Sequence, residues 1–145
     1  MKRKGILNRQ LLELLSTVGH GDRIVITDRG FPIPQNGSTR VIDLGIVPGV
    51  PSFADVLFPL FDELIVEGYI LAEETFTYNR EIIEQVRKHP AITEPEGMTE
   101  QIVPHTEFKD MVLSRDPDRV PLTGYIRTGE FTKYTNIILI CGVAF

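Results

Sequence analysis

Cys141 is the only cysteine in this chain, which excludes a disulfide within the chain and any multi-cysteine zinc or iron–sulfur site. No stretch approaches the roughly 18 apolar residues of a membrane helix. Positive charge is scarce as well: 15 Lys and Arg stand against 20 Asp and Glu, a net charge of −5. Such a chain repels a phosphate backbone on average, which argues against nucleic acid as a partner. The motifs of nucleotide, metal and acyl-transfer chemistry are missing. There is no Gly-x-Gly-x-x-Gly, no Gly-x-x-x-x-Gly-Lys-Ser/Thr, no His-Glu-x-x-His and no Gly-x-Ser-x-Gly. The histidines, His20, His89 and His105, show no short ligand spacing. The expectation is a function with no cofactor and no metal.

What remains is ordinary globular composition, 42% hydrophobic and 24% charged over 145 residues. That predicts one domain, 1–145, able to bury a sizeable core without a covalent or metal staple. Met1-Lys2-Arg3-Lys4 resembles the start of a signal peptide, but Gly5 to Gln10 breaks the apolar run such a peptide needs. A cytoplasmic location is expected. Asn36-Gly37-Ser38 reads as a turn rather than a glycosylation site.

Asn8 caps a predicted helix whose Leu11, Leu12, Leu14, Leu15 and Val18 recur at helical period until Gly19. Arg23 to Thr27 is β-branched and reads as a buried strand, with a second over 40–44. Ser52 caps a helix to Leu64 with Pro59 inside it, and Gly68 to Ala72 is a third strand. Asn79 caps a helix ended by His89-Pro90; residues 91–100 read as a surface insertion. A short strand at 101–103 precedes a helix capped by Thr106, and strands at 122–127 and 136–143 close the chain. Alternating strands and helices predict a layered α/β fold. Phe58, Phe61 and Phe108 read as core.

In open α/β sheets, ligands bind beyond the carboxyl ends of strands. Candidates for such a crevice are Gly19-His20, Asp28, His105 and the connection Arg127 to Asn136. Each has a plainer reading, as a helix-end histidine, a turn aspartate, an exposed residue or a loop with local hydrogen bonds.

The order of particular motifs goes further. Gly5-Ile6-Leu7-Asn8, Gly19-His20 with Asp22, and Ile24-Val25-Ile26 leading to Asp28 are followed by Gly30, Pro32, Pro34 and Asp43-Leu44. Then come Pro48-Gly49-Val50-Pro51, His105 with Glu107-Phe108-Lys109, Ile126-Arg127-Thr128-Gly129-Glu130-Phe131-Thr132, Tyr134, Asn136 and Gly142-Val143. This series resembles the D-ribose pyranase (ribose mutarotase) family over nearly the whole chain, and the related L-fucose mutarotases less closely. Lys133, Thr135, Arg29 and the 91–100 segment depart from the family pattern and bear on sugar preference.

The resemblance implies a single-domain, three-layer α/β/α fold with a mostly parallel, mixed central sheet. It implies a cofactor-free isomerase that interconverts the pyranose and furanose forms of D-ribose by acid/base ring opening. His20 would be the proton donor, and Asp28, His105, Tyr134, Thr135 and Asn136 would bind the sugar, Thr135 through its backbone. A histidine suits the role because its ordinary pKa, about 6.5, lets it donate or accept near neutrality. Family members are ring-shaped homo-oligomers, decamers by resemblance, with sites at subunit contacts. Two other readings stay open: a non-catalytic sugar-binding or regulatory subunit, and a mutarotase for another monosaccharide such as L-fucose.

Overall fold

The computed structural model describes residues 1–114 and 118–145. Helix α1 (Arg9–Leu15) starts where expected, with the Asn8 side chain accepting from the Leu11 N–H. It stops earlier than the leucine pattern suggests. Ser16 and Thr17 turn their hydroxyls back onto the carbonyls of Glu13 and Leu14, bonds that compete with a further turn. Strands β1 (Arg23–Thr27) and β2 (Arg40–Asp43) follow. Helix α2 (Phe53–Phe61) opens with a reciprocal capping box between Ser52 and Asp55. It carries Pro59 in its interior, which costs a helix roughly 3 kcal/mol. Burial of Val56, Leu57, Leu60 and Phe61 offsets this, at roughly 1.5–3 kcal/mol for each fully buried side chain.

After β3 (Val66–Ala72) come the one-turn helix α3 (Thr75–Tyr78), α4 (Arg80–Lys88) and α5 (Pro90–Thr93). The stretch expected to be a surface insertion is mostly exposed but half regular: Ile92 in α5 is buried, and Thr99 and Glu100 begin β4 (Thr99–Val103), with only 94–98 irregular. β4 is an edge strand, exposed at four of its five residues. Backbone pairing with β3 makes it a strand, and apolar patterning gives little sign of it. Helix α6 (His105–Leu113) starts one residue before Thr106, and no side chain caps it from Pro104. Glu74, from the β3–α3 turn, accepts the His105 N–H instead at 2.9 Å. β5 (Leu122–Arg127) and β6 (Ile137–Cys141) complete the chain.

The six strands form one sheet in the order β2-β5-β1-β6-β3-β4. All neighbours are parallel except β6, which runs antiparallel between β1 and β3. Successive side chains of the central strands feed opposite faces, as a pleat requires. Ile24, Ile26, Ile137 and Leu139 pack with α1, α2 and α4, while Val25 and Ile138 pack with Phe31 and with Phe108 and Val112 of α6. This is the expected three-layer α/β/α arrangement. No helix among the described residues is long and apolar enough to cross a membrane.

Candidate functional site

One end of the sheet collects most of the polar residues singled out above. β1, β3 and β4 run parallel and finish there. The antiparallel β6 starts there, which brings Asn136 beside Asp28 although they are 108 residues apart in sequence. The Asp28 N–H donates to Asn136 Oδ1 at 2.9 Å, and Asn136 Nδ2 donates to Asp28 Oδ2 at 3.1 Å. The other Asp28 oxygen accepts the Gly30 N–H at 2.9 Å. Burial pushes the Asp28 carboxyl above its ordinary value, against hydrogen bonds from Asn136 and the backbone of Gly30, Phe31 and Tyr134 that favour the charged form.

Tyr134 occupies the left-handed region at φ 62°, rare for a side chain this large. Its carbonyl is held from two sides, by the Thr75 hydroxyl at 2.5 Å and the Asn136 N–H at 3.1 Å. That turn places the Tyr134 ring edge-on to His105, with centroids 4.8 Å apart, and the Phe31 ring also packs edge-on to the imidazole at 5.8 Å. Burial pushes His105 below its ordinary value, countered by Glu74 and Asp28. Its Nδ1 is shut away from solvent with no hydrogen-bond partner among the described residues. A buried polar atom left unpaired is costly, and a hydroxyl donor would relieve that cost. Thr135 is fully buried, with its hydroxyl accepting from Asn79 Nδ2 at 3.1 Å. Its side chain is thereby engaged with the α3–α4 junction.

The Arg29 guanidinium pairs with Asp43 rather than Asp28, donating through both terminal nitrogens. The ammonium of Lys133 lies 4.4 Å from the centre of the Tyr78 ring, which itself packs on Tyr134. A cavity of about 280 Å³ opens beside Asp28, lined by Arg29, Gly30, Glu130, Phe131 and Lys133.

The strongest sequence motif turns out to be scaffolding for this corner. Thr128 Oγ1 donates to the Thr27 carbonyl, Arg127 donates twice to the Arg29 carbonyl, and Glu130 accepts the Phe53 N–H that opens α2. Gly129 lies so close to the 45–51 loop that a Cβ would meet the Val50 carbonyl carbon at 2.6 Å. Glu74, Thr75, Tyr78 and Asn79 support the site without having been foreseen. They come from a short segment whose role depends on contacts across the fold.

His20 is elsewhere. It precedes β1, whereas Asp28 follows it. Its neighbours Gly21 and Glu67 sit against the end of β6 and the start of β3. A five-residue strand at about 3.3 Å per residue separates the two groups by roughly 16 Å or more. The expectation that the α1–β1 loop aims His20 at the crevice near Asp28 is not met within one chain, because that loop enters the strand at its amino end. His20 is instead exposed at the opposite end of the sheet, with Nε2 2.8 Å from Glu67 Oε2.

A family model described as the RbsD / FucU transport protein family matches residues 1–144. The chain belongs to this family. It is 44% identical to a D-ribose pyranase of Geobacillus kaustophilus, over all of this chain and 96% of that protein. Among solved structures, RbsD of Bacillus subtilis in complex with D-ribose matches with a TM-score of 0.82 and 38% identity, covering all of both chains. A fucose mutarotase of Streptococcus pneumoniae, solved with L-fucose, matches with a TM-score of 0.61 at 20% identity, covering 96% of this chain and 95% of that one. At that identity the likeness is one of fold.

Proposed function

We propose that this protein is a D-ribose pyranase, interconverting the six- and five-membered ring forms of D-ribose. The single observation that carries this reading is full-length identity to D-ribose pyranases, 44% in the example above. The geometry suits it. Asp28, His105, Tyr134 and Asn136 offer carboxylate, imidazole, phenol and amide at one end of the sheet, the group types that pair with sugar hydroxyls.

The reaction needs a proton delivered to the ring oxygen as the C1–O bond breaks and its electron pair moves onto that oxygen. The anomeric hydroxyl gives up its proton to an acceptor in the site and becomes the aldehyde. Another hydroxyl then attacks C1 and closes the new ring. His20 is the proton donor in this reading, and it reaches the sugar from a second copy of the chain. The exposed face bearing His20 on one subunit meets the Asp28 corner of the next, so the working unit is a cytoplasmic homo-oligomer with sites shared between subunits.

NMR saturation transfer between pyranose and furanose signals of ribose tests the activity, with chelator present. Faster exchange on adding micromolar protein is expected. Tight ribose binding with unchanged exchange would instead favour the sugar-binding subunit, and faster anomer exchange in L-fucose alone would favour the fucose reading.

A further inference from the structure

We propose that Glu67 is a positioning residue for His20, fixing its tautomer so that Nδ1 is the atom that exchanges the proton with the sugar. The inference rests on the reading of His20 as proton donor. Glu67 is the second residue of β3, and β1 and β3 run parallel on either side of β6. The loop before β1 and the start of β3 therefore meet at the same end of the sheet. There, His20 Nε2 and Glu67 Oε2 lie 2.8 Å apart. An ionised carboxylate only accepts hydrogen bonds, so Nε2 must carry the hydrogen. In the neutral ring that leaves the lone pair on Nδ1, which makes no hydrogen bond to any described residue, so the proton that turns the ring into an acid enters at Nδ1 and leaves from Nδ1 to the sugar's ring oxygen.

The acid of the loop itself is already committed. Asp22 accepts the Gly19 N–H through Oδ2 at 2.7 Å and so shapes the turn that carries His20. The Gly21 N–H is tied to the Cys141 carbonyl at 2.8 Å, fixing the loop to the end of β6. The backbone of His20 is thus anchored on both sides, while among the described residues Glu67 alone engages its ring. Both side chains are exposed in one chain, 63% for His20 and 42% for Glu67. An exposed pair of this kind holds its geometry weakly. Covering it with a neighbouring subunit removes the competing water and makes the orientation firm.

Two measurements test this. In ¹⁵N spectra of the uniformly labelled wild-type oligomer, recorded at a pH where the His20 ring is neutral, its hydrogen should sit on Nε2 and not on Nδ1. A neutral ring protonated at Nδ1 would overturn the proposal with no variant needed. Second, Glu67→Ala should slow ribose exchange on the order of 10–100-fold, by analogy with the cost of losing the carboxylate that orients a metal-bound histidine. Its ribose affinity should stay within about twofold, since the hydroxyl partners lie at the other end of the sheet, and Glu67→Gln, which can still accept from Nε2, should recover most of the rate. Wild-type exchange in Glu67→Ala, or equal losses of rate and affinity, would overturn it. His20→Ala run in parallel separates the two claims: if that variant exchanges ribose normally, the proton-donor reading itself is wrong.

Discussion

His20 and Asp28 stand at opposite ends of the five-residue strand β1, His20 beside Glu67 and Asp28 bonded twice to Asn136. No side-chain rotation closes that gap. A reaction that uses both residues must therefore bring two chains together, and this separation shapes the first two predictions.

His20→Ala should lower ribose ring exchange by roughly 10²–10⁴-fold, the usual worth of a general acid or base. Ribose affinity should fall far less, because the residues offered to the hydroxyls are untouched. Exchange and binding measured on the same folded variant check this, and near-wild-type exchange removes His20 from the mechanism.

Mixing two inactive variants gives a sharper test. His20→Ala subunits retain Asp28, and Asp28→Ala subunits retain His20. If each site draws one residue from each of two chains, random 1:1 hybrids should recover roughly a quarter of the sites. A site built within one chain recovers none. The readout is exchange activity after dissociating and reassembling the mixture, with each variant treated alone as control.

Asn136→Ala strips the Asp28 N–H and one carboxylate oxygen of their partner in a buried corner. An unsatisfied buried polar group costs about 1–3 kcal/mol, so the variant should be destabilised by that order. It should also bind ribose more weakly, since Asp28 is no longer held in place. Denaturant unfolding and a ribose titration measure the two effects; unchanged stability would show that water replaces the amide without loss.

The depressed basicity of His105 makes a pH prediction. When a histidine is harder to protonate in the folded state, the unfolded chain binds more protons below its ordinary value of about 6.5. Its contribution to stability is present above that value and is lost as pH falls through the folded one. Lowering the pH from 7.5 to 5.5 should therefore reduce the wild-type melting temperature more than that of His105→Gln. Equal reductions would mean that burial does not penalise the charged ring.

Much of this protein was legible in the sequence because local chemistry fixed it. Asn8, Ser52 and Asn79 each cap a helix with their own side chain, and the β-branched run of β1 and the apolar run of β6 are buried strands. The order of motifs likewise pointed to the family. What the sequence did not determine lies in contacts between distant segments. β4 is a strand because β3 offers it a backbone edge, and α6 starts at His105 because Glu74 accepts its N–H. Only the reversed direction of β6 places Asn136 against Asp28. Motif order along the chain put His20 with the sugar-binding residues, but sequence proximity to Asp28 says nothing about which end of a strand a side chain occupies. Strand direction decides that: a residue before β1 and a residue after it emerge at opposite ends of the sheet, however close they are in the chain.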